Sequence, residues 1–415
     1  MPLFKHRWSM SALCIIDLSA MQPARQPDRP EFIAMATVLM ATIALSIDVM
    51  LPALGDMASE LGVESNRRQM VIVALFLGLA AGQLVFGPMS DSIGRRPAIV
   101  IGAAFFAVGG LICAMATTFE TLIAGRLLQG AGAAGPRIVT VALIRDRFEG
   151  AAMARVMSII MGIFIMVPVL APSLGQALLL VMPWRGLFTL LSVVCVGGAL
   201  WLLLRQPETI LEKRTFRVGK FAAAVLEVLT ERRAMAFTVA GGLCYGALMG
   251  YINSSQQLFQ ETYEVGTLYA VLFGCAALFI SVATLTNARL VKRFAMDRIC
   301  VLAVSGLIIW SLAFMGMMMI MGDLPPLWLF MSANCPALFL LGLTFGNFNA
   351  IALEKLGHIA GLAAAVTASV LTLVGAVAAG AIGFSYNMSL YPIFLGYAIC
   401  GAIALILMLL PSAKS

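Results

Sequence analysis

The chain has 415 residues, 61% of them hydrophobic and 11% charged, with a mean hydropathy of +0.98. That composition excludes a water-soluble domain, because apolar runs of about 20 residues, each long enough to cross a bilayer, recur along the whole length. The net charge of +7 is therefore read through its placement between the runs, not as a nucleic-acid surface, and the eight cysteines and two histidines form no CxxC pair or His/Cys cluster that would indicate a metal site, a cofactor or a disulfide framework.

Residues 1–30 hold no span. Ser11–Ala20 is short, apolar and broken by Asp17, and Pro23, Pro27 and Pro30 follow. A disordered tail is expected, with a start at Met21 as the alternative. Twelve spans are then expected at 31–54, 69–89, 97–116, 120–143, 153–181, 186–204, 235–258, 267–288, 298–321, 325–353, 358–386 and 390–410. The polar stretch 205–234 divides them six and six. The expected organisation is a tail (1–30), an N-terminal six-helix bundle (31–204), a central loop (205–234), a C-terminal six-helix bundle (235–410) and a short end (411–415). Alternate connections carry very unequal charge. The side holding the tail, the loop at Arg95, the Arg145–Arg155 region, the central loop, the Arg289–Arg298 region, Lys355 and Lys414 has 22 of the 27 lysines and arginines. Arg67, Arg68 and Arg185 lie on the other side. The positive-inside rule places the basic side, and with it both termini, in the cytoplasm.

The second and third spans are joined by Gly87-Pro88-Met89-Ser90-Asp91-Ser92-Ile93-Gly94-Arg95-Arg96. Gly87 allows a neighbouring backbone to come close, Pro88 disturbs the helix near its end, and Gly94 suits a sharp reversal. Arg95 and Arg96 hold the loop on the basic side, and Asp91 is a carboxylate at the membrane edge that needs a positive partner. The stretch Leu290–Ala295 repeats the basic hairpin after the second span of the second half, without the aspartate and glycine. A duplicated six-helix unit is expected from that echo.

Within the spans the ionisable groups are few. Asp48 stands about six residues, roughly 9 Å, inside the outer end of the first span. A charge at that depth costs about 2.5–3.5 kcal/mol unless it meets a partner or water. It is read as a titrating or cation-binding group, the alternative being a carboxylate paired with another helix. Arg126 lies at similar depth in the fourth span, and Arg137 returns to nearly the same helix face. The small residues Gly130 and Ala133 complete a polar stripe that faces a cavity or a tightly packed neighbour. Pro168, Pro172 and Gly175 are expected to kink the fifth span. The seventh carries Asn253, Ser254, Ser255, Gln256, Gln257 and Gln260, read either as the hydrogen-bonding wall of a substrate cavity or as amides meeting water at the outer interface. Asn347, Asn349 and Glu354 in the tenth span are open to the same two readings. The 26 methionines suit an adaptable cavity and equally suit apolar filler.

The Gly87–Arg96 stretch resembles the signature loop between helices 2 and 3 of the major facilitator superfamily. Leu122–Ala134, with Arg126 inside it, resembles that superfamily's second motif. Pro168, Ala171-Pro172 and Gly175 resemble its third, with Ala171 and Gln176 where glycines are usual. Asp48 with Leu51-Pro52-Ala53-Leu54, Gly82-Gln83, Ile144-Arg145-Asp146, Asn287–Val291 and Leu356–Gly361 are similar to the Bcr/CflA branch of bacterial drug:proton antiporters. The resemblance implies an all-α integral membrane protein with twelve transmembrane helices in two pseudo-symmetric six-helix bundles. It implies export of small, mostly hydrophobic compounds across the bacterial inner membrane in exchange for protons, as in multidrug efflux and antibiotic resistance, by alternating access. A proton- or cation-coupled importer of a small metabolite is the alternative. The partners expected are a small-molecule substrate, protons and the lipid bilayer, with no nucleic acid, and the chain is expected to be a monomer. The resemblance further implies that Asp48 and Arg126 couple protons and that Asp91 sits against the start of helix 11 in the outward-open state. No nucleophile–base pair and no selectivity ring is visible, so neither an enzyme nor a channel is expected.

Overall fold

The computed structural model describes residues 27–63, 65–210, 218–322 and 324–410. The expected disordered tail up to residue 26, the middle of the central loop (211–217) and the end 411–415 lie outside the described residues. Every regular element among the described residues is helical, as a hydrocarbon solvent demands, since only a helix satisfies its own backbone within one segment. In chain order they are α1 (Arg29–Asp48), α2 (Leu54–Glu60), α3 (Met70–Ile93), α4 (Arg95–Ala114), α5 (Phe119–Arg147), α6 (Gly150–Leu179), α7 (Trp184–Arg205), α8 (Val218–Thr230), α9 (Arg232–Gln256), α10 (Tyr269–Leu290), α11 (Met296–Met321), α12 (Leu327–Gly342), α13 (Phe345–Leu353), α14 (Ala360–Phe384) and α15 (Tyr391–Leu409). Among the described residues, eleven helical stretches are long and apolar enough to cross a membrane. The 30-residue α6, roughly 45 Å long, is the twelfth long helix.

Four boundaries differ from the sequence expectation, each for a local reason. The first span does not run unbroken to residue 54. Regular helix stops at Asp48, a 3-10 turn covers Leu51–Ala53, and α2 carries the chain on to Glu60. Pro52 lies in that turn, where its ring leaves no N–H to continue an α-helical ladder. The tenth span is likewise two helices, α12 and α13, interrupted at Leu343 and Thr344. The hairpin at residues 87–96 is almost wholly helical. α3 continues through Pro88 to Ile93, α4 starts at Arg95, and Gly94 alone makes the reversal with φ of 115°. That is a left-handed backbone open to glycine at little cost. The central loop contains α8, whose Val228 packs with Ala234, Leu356, Ala363 and Val366.

In the first half, α3 and α4 pack on α5, α4 on α7, and α1 on α6 and α7. In the second, α9 packs on α13, α14 and α15, α11 on α12 and α15, and α10 on α12. The two bundles meet where α3 lies along α14 and α6 along α10. The small residues of α5 are used for close packing on α3. A Cβ at Gly130 would lie 2.0 Å from the carbonyl oxygen of Leu75, and one at Gly78 would lie 2.0 Å from that of Leu127. Backbones held that close gain their attraction from van der Waals packing, the main driving force between helices in lipid. Gly130→Ala is expected to cost about 1–3 kcal/mol by forcing α3 and α5 apart. It should lower the melting temperature of the detergent-solubilised protein, whereas Gly197→Ala, with open space around the new methyl, should leave it unchanged.

Candidate functional site

Three layers of polar side chains lie along the bundle, which is called here by its basic end (Asp91, Arg95, Glu354) and its opposite end (Arg68, Glu261). At the basic end Arg95 and Arg96 are buried, not solvated topology charges. The Arg95 guanidinium donates to Asp91 (2.6 Å), to Asp146 (2.9 Å) and to the Ser90 hydroxyl (2.7 Å). The Arg96 guanidinium donates to the carbonyl of Leu203 (2.5 Å). The backbone N–H groups of Arg95 and Arg96, at the start of α4, donate to the carboxylate of Glu208 (3.0 and 3.1 Å). An acidic group at a helix N-terminus satisfies amides that have no partner in the helix. Glu208 was not expected from the sequence. It lies more than a hundred residues from the loop it holds, and no local spacing signals it. Asp91 rests on Arg95 in this conformation, while Gly87 brings α3 against α14, a Cβ there lying 3.3 Å from Ala365. Glu354 is exposed at this end, 3.7 Å from Arg233.

In the middle layer Asp48 and Arg126, expected at similar depth and to couple protons together, make no hydrogen bond or ion pair with each other among the described residues. Arg126 is fully buried and spends its donors on Val71 O (2.9 Å), Ser46 O (3.2 Å) and Gln129 Oε1 (2.9 Å), with its guanidinium 5.5 Å from the Phe188 ring centre. Ser46 is in the last turn of α1, where helix carbonyls lack amide partners. Arg126 supplies them, and so fixes the end of the helix that carries Asp48. Asp48 itself is 5% exposed and has no hydrogen-bond or ion-pair partner among the described residues. Tyr245 of α9 packs its ring edge-on against Phe76 of α3 (5.9 Å) and Phe345 of α13 (6.3 Å), across the junction of the bundles. Arg137 is partly buried, with no ion pair among the described residues. Asn253 of α9 is buried with both amide atoms lacking a partner.

Contacts show what other expected residues hold. Asn347 is buried. It exchanges two hydrogen bonds with Asn287 (3.0 and 2.9 Å), joining α13 to α10 within one bundle. Gly175 provides closeness, with a Cβ there lying 2.4 Å from the carbonyl of Val49. Pro172 is buried beside it, and α6 runs as one helix through both. The side chain of Pro168 lies outside the described residues.

Gln256 and Gln257 belong to a third layer, which closes the opposite end. α9 ends there in a π-helical turn over Gln257–Thr262. Arg68 makes a two-armed ion pair with Glu261 of that turn (2.7 and 2.6 Å). Gln69 donates to Gln257 (2.8 Å), Gln257 to Asn66 (3.1 Å), and Asn66 to the carbonyls of Phe384 (2.9 Å) and Tyr386 (2.6 Å). Gln256 donates to Gln260 (3.1 Å) and Glu261 (3.2 Å). The signal in the sequence was Arg67 and Arg68 standing on the side that is otherwise nearly free of basic residues. The whole arrangement can close one end by hydrogen bonds across the two bundles while holding an unmatched acid and an unmatched base between them.

The sequence profile described as Major Facilitator Superfamily matches residues 36–383. The chain is 29% identical over 346 residues to YdgK, an MFS-type transporter of Bacillus subtilis strain 168, covering 82% of this chain and 85% of that one. It is 29% identical over 230 residues to the multidrug resistance protein MdtL of Salmonella heidelberg strain SL476, covering 55% of this chain and 58% of MdtL. Among solved structures, a D-xylose-proton symporter superposes with a TM-score of 0.68 at 13% identity over 91% of this chain and 96% of that one. The Escherichia coli xylose transporter XylE in a partially occluded inward-open conformation gives 0.66 at 11% identity over 92% and 97%. The human organic anion transporter MFSD10 gives 0.61 at 17% identity over 93% and 100%. At these identities the structural likeness speaks for the fold alone.

Among the described residues the Arg68–Glu261 pair is the one closure contact with full opposite charges, so Glu261→Gln should weaken the closure without unfolding either bundle. Spin labels at Asp56→Cys and Thr267→Cys, on opposite bundles near that end, should show a larger share of long distances in the variant. An unchanged distance distribution would remove Arg68–Glu261 from the closure.

Proposed function

Because the chain belongs to the major facilitator superfamily, we propose that it is a secondary transporter that exports small, mostly hydrophobic compounds from the cytoplasm in exchange for protons. The observation that carries this reading is Asp48, buried between the bundles and unpartnered among the described residues. A carboxylate held there without a cation is costly as an anion and uncharged once protonated. Its proton therefore changes the energetics of any rearrangement that exposes it to one side or the other. Arg126 is a positioning residue in this scheme. By holding Ser46 O, two residues before Asp48, it sets where α1 ends and where the carboxylate lies. Relatives named as multidrug resistance proteins support efflux as the direction. The basic end is assigned to the cytoplasm of a bacterial inner membrane by its charge, and one chain is taken as the working unit.

Transport follows from alternating access. A protein with the opposite end closed takes up substrate from the basic end, and closure there with opening at the Arg68–Glu261 end releases it. Protonation of Asp48 from the outer side resets the cycle. A coupling site need shift the balance of two states by only a few kcal/mol to drive such a cycle.

In proteoliposomes with an imposed pH gradient, using a compound identified by a growth screen of expressing cells, Asp48→Asn should abolish gradient-driven transport while the protein remains at near-normal abundance. Full gradient-driven transport by Asp48→Asn would leave Asp48 as a structural residue. Orientation is read separately. In a Cys-free background, Gly219→Cys should react with an impermeant thiol reagent only from the cytoplasmic side and Leu324→Cys only from outside.

A further inference from the structure

α8 (Val218–Thr230) is mostly apolar yet too short to cross a membrane. Two contacts fix how it is turned about its axis. Val228 is buried with Ala363 and Val366, in the first two turns of α14, and Val225 packs on the same cluster. One residue earlier, the Glu227 carboxylate lies 2.7 Å from Nε2 of His358, in the short turn that precedes α14. Both partners of that contact are about half exposed, so the Glu227 flank of α8 faces water at the basic end. At 100° per residue, Ala222, Leu226 and Leu229 form a stripe at i, i+4 and i+7 that lies on neither the Val228 face nor the Glu227 flank. The protein leaves this stripe uncovered. Leu226 is 62% exposed and Leu229 45%, and Ala222 is exposed as well. Ala363 and Val366 lie roughly 5–9 Å inside α14, deeper than His358, so the flank away from Glu227 points toward the bilayer. Charge agrees with that placement. The stretch that carries α8, residues 205–233, holds seven lysines and arginines against four glutamates. Arg232, just beyond α8, is exposed and makes no ion pair among the described residues.

We propose that α8 is an interfacial helix whose partner is an anionic lipid surface. Ala222, Leu226 and Leu229 enter the leaflet on the basic side at the boundary of head groups and acyl chains, while Glu227 and His358 stay in water. A helix with one apolar flank and basic flanking residues gains from both terms, apolar burial in the interface and attraction to lipid phosphates. The third face, on α14, makes the anchoring structural. Val228 and the Glu227–His358 contact tie α8 to the start of the helix that lies along α3, so a leaflet that holds α8 also holds the basic end of α14. The inference needs neither the direction of transport nor proton coupling at Asp48.

The test reads depth in the full-length protein. Nitroxide labels are placed one at a time at Leu226→Cys, Leu229→Cys and Lys355→Cys in a Cys-free background. The protein is held in nanodiscs of phosphatidylcholine or of phosphatidylcholine mixed with phosphatidylglycerol. Accessibility to oxygen, which concentrates in lipid, is compared with accessibility to a nickel chelate, which stays in water. The Leu226 and Leu229 labels should favour oxygen and read about 5–10 Å into the head-group boundary, and the Lys355 label should favour the chelate. Phosphatidylglycerol should deepen the two leucine labels, and high salt should reverse that gain. Leu226→Asp combined with the Leu229 label should return that label to water while leaving the bundles folded, as judged by an unchanged elution profile. Leucine labels as accessible to the chelate as the Lys355 label would overturn the proposal. Labels shielded from oxygen and chelate alike would also overturn it, by putting a protein surface on the stripe. Equal depth in the two lipid mixtures would remove the anionic surface as the partner.

Discussion

The structure depends on the absence of water in the bilayer core. Every charge and every backbone polar group placed there must find a partner inside the protein or face a hydrated space. Arg126, Arg95 and Glu208 show what compliance looks like. Each closes an exposed helix end or holds a second chain segment through two or more hydrogen bonds. Against that rule, Asp48 and Arg137 are informative because they are unmatched among the described residues. An unmatched group is destabilising, and a fold retains one where it meets a proton, a solute or water in the course of its work. The two are not salt-bridged to each other, and they lie at different depths on different helices.

The same rule explains which parts of the molecule were legible in the sequence. Spans are read from composition because the solvent imposes it, and the helices follow the apolar runs closely. The reversal at residues 87–96 was legible because Gly94 and its neighbours are local. Partners were not. A helical face says that Arg126 points inward, but not that its acceptors are Val71 O and Ser46 O rather than Asp48. Backbone carbonyls carry no sequence signature, and a carboxylate at equal depth attracts the inference. The partner of Asn347 was hidden for the complementary reason. A buried amide satisfied by a second amide, Asn287, looks the same in the sequence as one offered to a ligand. Gln256 and Gln257 were placed at the outer interface or in a cavity, and what they do depends on Asn66, Gln69 and Glu261, which lie on two different bundles. The helical α8 was missed because Val218–Thr230, although mostly apolar, is too short to span a membrane and lies between basic residues, so it was read with the central loop; its Val228 packs with Leu356 and Ala363.

The closure of the opposite end has a further physical consequence. It is made of polar contacts: an ion pair whose arginine is buried and whose glutamate is 36% exposed, and amide hydrogen bonds among Gln69, Gln257 and Asn66. Each such hydrogen bond contributes only about 1 kcal/mol net, because opening exchanges it for bonds to water. The seam along α3 and α14 is built differently. It has the Ser369 hydroxyl on Ala80 O (2.7 Å), a bond from Thr372 to Gln83 (3.3 Å), and the close approach of Gly87 to Ala365. These contacts lie within the membrane, where no water replaces them. The two bundles are thus joined by polar contacts at both places, side chain to side chain at the opposite end and side chain to backbone along α3 and α14. Two states of a transporter must differ by little for a single proton or solute to choose between them. A closure of a few hydrogen bonds, each exchanged for bonds to water on opening, keeps that difference small, and the proton on an unpartnered carboxylate is then enough to decide it.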